Sequence, residues 1–104
     1  MEPESWVRVI KEDALPEKGM TPVFPKGLPL LLIRKTAGEI YAIDNKCPHM
    51  GCPLYRGQLD GYHLQCACHD WRFDIRNGSF ADAPEIRLRC YEWKIADGYI
   101  YVRI

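Results

Sequence analysis

Glu92-Trp93-Lys94-Ile95-Ala96-Asp97-Gly98-Tyr99-Ile100-Tyr101-Val102-Arg103-Ile104 is the stretch that decides the fold class. Asp97-Gly98 suits a two-residue hairpin turn, because both residue types tolerate the positive φ such a turn requires. On the second arm Ile100, Val102 and Ile104 alternate with Tyr99, Tyr101 and Arg103. That period of two predicts a strand with one apolar and one amphipathic face. Further back, Trp6-Val7-Arg8-Val9-Ile10 has the β-branched and aromatic content of a strand. Leu30 to Lys35 and Glu39 to Asp44 read as a hairpin closed by Thr36-Ala37-Gly38. Asn77-Gly78 marks another turn, between Trp71-Arg72-Phe73-Asp74 and Ser79-Phe80. Asp13 to Gly19 is a turn with room for one helical turn. Eight prolines and eight glycines interrupt every long segment before a helical period is established. The prediction is an all-β chain, a small antiparallel barrel or sandwich. Its 104 residues suffice for one domain, residues 1–104. The span of about residues 45–80 reads differently, as a loop-rich subdomain set into the β framework.

Fourteen basic residues balance fourteen acidic ones. A dedicated nucleic-acid binder would carry a basic excess against phosphate, so no nucleic-acid partner is expected. The longest apolar run, Leu28 to Ile33, is far shorter than a membrane-spanning helix and contains Pro29. Met1-Glu2-Pro3-Glu4-Ser5 is acidic and lacks the basic-then-apolar order of a signal sequence. A soluble, cytoplasmic chain is the expectation.

Composition does not explain where the cysteines fall. Four of the five lie in two patches, Cys47-Pro48-His49-Met50-Gly51-Cys52 and Cys66-Ala67-Cys68-His69-Asp70-Trp71. Two of the three histidines share those patches. Facing loops of this kind present two thiolates and two imidazoles to metal. The donor set admits a tetrahedral Cys₂His₂ zinc site. It also admits a 2Fe–2S cluster in which two histidines replace two cysteines on one iron. Zinc knuckles usually take both cysteines from one loop, whereas here each loop supplies one cysteine and one histidine.

Cys-x-His, sixteen residues, then Cys-x-x-His resembles the Rieske family. The neighbours agree: Cys47-Pro48-His49-Met50-Gly51 in the first box, His69-Asp70-Trp71-Arg72-Phe73-Asp74 and then Gly78 in the second. The resemblance implies a Rieske-like β fold over the whole chain with an inserted cluster-binding subdomain. It implies one 2Fe–2S cluster, with Cys47 and Cys66 on one iron and His49 and His69 on the other. It also implies a disulfide between Cys52 and Cys68, because respiratory Rieske subunits join the matching positions. The competing reading leaves these as two free thiols in a reducing cytoplasm.

High-potential members of that family place hydroxyl donors at the positions of Trp71 and Phe73. Neither residue here carries one, which implies a reduction potential in the lower part of the family's range. Pro48, Met50, Gly51, Pro53, Leu54, Trp71, Phe73 and Pro84 are the expected cluster surroundings or docking rim. Arg56, His63 and Arg72 are candidate polar contacts.

The mononuclear iron of an oxygenase needs two histidines and a carboxylate. Only His63 remains once His49 and His69 are assigned. No glycine-rich dinucleotide loop is present to take electrons from a nicotinamide directly. The resemblance therefore implies a monomeric ferredoxin, not itself an enzyme. It would accept electrons from a flavin reductase and pass them to a terminal oxygenase or another redox enzyme. The alternatives are a small Rieske-fold subunit of an assimilatory nitrite reductase and an iron–sulfur redox sensor. Cys90 and the remaining aromatics read as ordinary packing residues.

Overall fold

Leu30-Leu31-Leu32-Ile33 is an unbroken apolar run, the pattern of a strand covered on both faces. In the computed structural model, which describes residues 6–36, 38–46, 52–68 and 70–104, all four are fully buried. They lie in β3 (Leu30–Thr36), which pairs antiparallel with β2 (Gly19–Val23) and β4 (Glu39–Asp44). β10 (Cys90–Tyr91) joins β4, completing a central sheet in the order β10-β4-β3-β2. Successive side chains of β3 enter different cores. Leu30 and Leu32 pack with Leu15, Ile40, Ala42, Ile100 and Val102. Leu31 and Ile33 pack with Ile43, Leu54, Leu64, Cys66 and Phe73. A fully buried side chain of this size contributes about 1.5–3 kcal/mol, so this one strand holds two layers together.

The layer on one side is the sheet β1-β12-β11, from β1 (Trp6–Lys11), β11 (Trp93–Ala96) and β12 (Tyr99–Arg103). The hairpin forms at Asp97-Gly98, with φ of 54° and 81°. Ile100 and Val102 point into the core. On the other face the Lys94 ammonium lies 4.5 Å from the Trp6 ring centroid, and the Arg8 guanidinium lies 4.6 Å from that of Tyr99. These cations cover aromatic faces that would otherwise meet water.

The layer on the other side is a meander of β5 (Gln58–Asp60), β6 (His63–Gln65), β7 (Arg72–Asp74), β8 (Ser79–Phe80) and β9 (Ala83–Arg87). The all-β, antiparallel expectation therefore holds. The span read as loop-rich contains β5 to β8, because strands of two or three residues show no period. Pro84, one of the expected cluster surroundings or docking-rim residues, lies in β9, an edge strand where its missing N–H costs no ladder bond. β2, with Pro22, is likewise an edge strand that the sequence did not announce. The turn at Asn77-Gly78 forms as expected. Gly78 has a φ of 79°, and a Cβ there would run into the Leu88 carbonyl. Thr36-Ala37-Gly38 joins β3 to β4, with Ala37 outside the described residues. Cys90, which reads from the sequence as an ordinary packing residue, is exposed, on a two-residue strand at the sheet edge.

A polar cluster ties β4 to the β5–β6 turn. Glu39 Oε2 accepts from the Tyr41 hydroxyl at 2.5 Å and the Tyr62 hydroxyl at 2.7 Å. Lys35 Nζ donates to the Gly61 carbonyl at 2.6 Å. The two tyrosine hydrogen bonds, chiefly that from Tyr41, hold the Glu39 carboxyl below its ordinary pKa. Burial, then the bond to Glu39, pushes Tyr41 up to about 12. Burial and the bond to Asp44 push Tyr91 up to about 12 as well. A depressed carboxyl contributes stability above the unfolded carboxylate pKa, which is lost as pH falls through its folded value. A raised phenol contributes stability that is whole below the ordinary tyrosine pKa of about 10 and lost as pH rises through the folded value. Melting temperature is thus expected to be level near neutrality, falling below about pH 4.3 and above about pH 10. Glu39→Gln should flatten the acid limb; a melt series in which this variant falls as steeply as the parent would refute the role given to Glu39.

Candidate metal centre

Two loops at one end of the third sheet carry the Cys/His patches. The first leaves β4 and returns through a 3-10 turn, Leu54–Arg56, to β5. Its neck is closed by Asn45, which is buried and whose Oδ1 accepts the Tyr55 N–H at 2.9 Å. The Asn45 N–H in turn donates to the Pro29 carbonyl at 3.0 Å. Gly57 lets the returning chain lie against β6, since a Cβ there would run into the Gln65 carbonyl.

The second loop joins β6 to β7. Cys66 N–H donates to the Trp71 carbonyl at 2.7 Å, and Asp70 N–H donates to the Cys66 carbonyl at 3.0 Å. Gln65 Nε2 donates to Asp70 Oδ1 at 3.0 Å. The two loops are joined covalently by the Cys52–Cys68 disulfide, with Cα atoms 6.5 Å apart. The expected pairing is therefore present, and the free-thiol reading is set aside.

Disulfide formation occupies Cys68, so Cys66 is the remaining thiol of the second loop. It is completely buried. Cys47, His49 and His69 lie outside the described residues, as do Pro48, Met50 and Gly51. The described residues show a buried thiol on a loop locked by the disulfide to the loop whose sequence carries two further candidate ligands, Cys47 and His49. Two thiolates and two imidazoles on joined loops fit a cluster whose irons differ in ligand type.

The side chains around Cys66 divide by burial. Leu54 and Phe73 are fully buried and pack beside it in the same core. They support the loop from within and offer no surface to a partner. Trp71 stacks on Phe80, ring centroids 4.0 Å apart and planes within 8°. Pro53 and Pro84 are exposed. A cleft of about 270 Å³ beside Cys66 is bordered by Arg56, Gln58, Gln65, Ala67 and Asp70. Arg72 is exposed and lines a separate hollow with Asp70, Ala81 and Asp82. His63 pairs across strands with Asp60 and Asp74 at the other end of β6. The Arg76 guanidinium, through its bond to Asp74 Oδ1 and Oδ2, holds that carboxyl below its usual range.

Sequence reasoning missed Asn45 and the Gln65–Asp70 pair. Asn45 has no local signature, because its partners lie ten residues on and sixteen residues back. Asp70 had one: it is among the few residue types that accept a left-handed backbone.

Comparison with known proteins agrees with this geometry. The chain is 33% identical over 93 residues to the ferredoxin component of a naphthalene 1,2-dioxygenase system from Pseudomonas aeruginosa, covering 88% of each. Against three larger curated relatives it spans only 23%, 19% and 12% of their length. The ferredoxin of carbazole 1,9a-dioxygenase from Nocardioides aromaticivorans IC177 superposes with a TM-score of 0.84 at 27% identity, covering 94% of this chain and 96% of that one. A nitrite reductase small-subunit structure from Mycobacterium tuberculosis superposes at 0.86 with 22% identity, covering 99% and 97%, and shares the fold. The Rieske [2Fe-2S] domain family model matches residues 5–92. With the paired loops, the buried Cys66 thiol and the Cys52–Cys68 bridge beneath that match, the chain belongs to the Rieske [2Fe-2S] domain family.

Proposed function

We propose that the chain is a one-electron carrier, a Rieske-type ferredoxin. Cys47 and Cys66 hold one iron of a 2Fe–2S cluster, and His49 and His69 hold the other. The observation that carries this reading is the buried Cys66 thiol on a loop stapled to the Cys47–His49 loop. When bound, the cluster supplies a single reversible electron, and neutral imidazole ligation sets its potential within roughly −150 to +300 mV.

This chain's residues do the rest. Leu54, Phe73 and the Trp71–Phe80 stack exclude water from the protein side of the site. Trp71 and Phe73 place no hydroxyl beside Cys66, so no O–H donor from these positions stabilises the more negative reduced state. The potential belongs in the lower part of the range. Within the chain, His63 is the one histidine left over, too few for the two-histidine site of a terminal oxygenase.

Likeness to a dioxygenase ferredoxin component across most of both chains supports a reductase as electron donor and a terminal oxygenase as acceptor. Pro53 and Pro84, with the tip of the first loop, supply the apolar docking rim. No described helix is long and apolar enough to cross a membrane; a cytoplasmic monomer is the state proposed.

A redox titration followed by EPR tests the reading. One electron per chain, a rhombic 2Fe–2S signal and a midpoint in the lower half of the range are expected. A colourless protein with one zinc would refute it. A stable complex with a single large enzyme would favour a dedicated subunit instead.

A further inference from the structure

Asp70 adopts a φ of 59°, in the left-handed region that L residues other than asparagine and aspartate rarely enter. It lies between two backbone hydrogen bonds. The chain climbs from Cys66 until Asp70 N–H meets the Cys66 carbonyl at 3.0 Å. It must then reverse within one residue for the Trp71 carbonyl to reach the Cys66 N–H at 2.7 Å. A left-handed residue is what reverses the chain at such a point, as at the end of a helix.

The side chain provides a second, separate restraint. Asp70 is exposed, so it fills no core, yet its Oδ1 accepts Gln65 Nε2 at 3.0 Å. Gln65 ends β6, whose register is fixed by β5 and β7. The hydrogen bond therefore refers the far side of the loop back to the sheet.

Resting on the ligand assignment above, we infer that Asp70 is the positioning residue of the second ligand loop. Its backbone conformation sets the direction in which Cys66 is offered to the cluster, and its bond from Gln65 holds the loop in that arrangement. The role is geometric. It needs no negative charge, which separates it from a part in proton transfer or in docking a basic partner.

The test uses the full chain carrying its cluster, with variants Asp70→Asn, Asp70→Gly, Asp70→Ala, Asp70→Val and Gln65→Leu. Two quantities are read: the EPR spectrum of the reduced protein, and the rate of iron release to a chelator. Asparagine keeps both the conformation and an acceptor, so spectrum and rate should match the parent. Glycine and Gln65→Leu keep the conformation and lose the bond; the spectrum should hold and release should quicken a few-fold. Alanine and valine lose both; they should alter the spectrum and quicken release by about 5- to 30-fold relative to the glycine variant, the range that a left-handed penalty implies. Valine should be the worst.

At an ordinary site glycine is the less stable of the glycine–alanine pair. Here the order is expected to reverse, so this comparison decides the matter even if the valine variant fails to fold. An alanine variant equal to the parent, or an asparagine variant as poor as alanine, would overturn the inference. A parent protein without a 2Fe–2S signal would instead overturn the ligand assignment, and this inference with it.

Discussion

Cys66→Ala is expected to leave the purified protein without iron and without visible absorption, while Cys90→Ala stays fully loaded. The physical basis is charge. The proposed site has two thiolates to balance its ferric ions and sulfides, and removing one leaves the centre a full charge out of balance in a buried place. Each uncompensated buried charge costs several kcal/mol, enough to lower affinity by orders of magnitude. The fold should survive, because a thiol-to-methyl change in a core of Leu54, Leu64 and Phe73 removes little volume. Metal analysis, the visible spectrum and near-ultraviolet circular dichroism read the three quantities together. An iron-loaded Cys66→Ala protein with the parent spectrum would remove Cys66 from the ligand set. An iron-free Cys90→Ala protein would bring in a cysteine the geometry leaves out, since Cys90 lies on β10 of the central sheet.

The disulfide carries the second large effect. Cys52 and Cys68 are sixteen residues apart, and the bridge joins the loops that carry all four proposed ligands. Closing a loop of about fifteen residues stabilises by about 3 kcal/mol in the chain-entropy picture, which is about a hundredfold in a closure equilibrium. The double variant Cys52→Ser, Cys68→Ser should fold, since the fully buried residues of β3 and its two cores include neither cysteine. It should release iron to a chelator about a hundred times faster than the parent. Thiol titration of the iron-stripped, unfolded parent supplies the chemical count. With five cysteines and one bridge, three thiols are expected without reductant and five with it. Five in both conditions would show that the bridge does not form in solution, and unchanged iron release would show that it does not hold the loops.

Legibility followed the range of the interaction involved. The Asp97-Gly98 and Asn77-Gly78 turns were readable because turn preference resides in the residues themselves, and both turns form with positive φ. The β3–β4 hairpin was readable from two long, apolar-rich arms. β2, β5, β6 and β9 were not, because each is short, at an edge, or interrupted by proline or glycine, and is a strand only through its neighbour's hydrogen bonds. Leu54 shows the same limit at the site. Its position after Cys52-Pro53 suggested a docking rim, yet packing against Leu64 and Cys66 takes it wholly into the core.

By itself the sequence determined which candidate donors are on offer, two thiols and two imidazoles in paired boxes, that Trp71 and Phe73 bring no hydroxyl, and the turns that make the chain all-β. These are properties of side chains and of neighbours within a few residues. The tertiary structure alone decided that β3 is shared by two cores, that Asn45 closes the neck of the first loop, and that Asp70 turns the second one back on itself. Each of those depends on groups brought together by chain reversal, and their spacing is set by the sheets rather than by local preference.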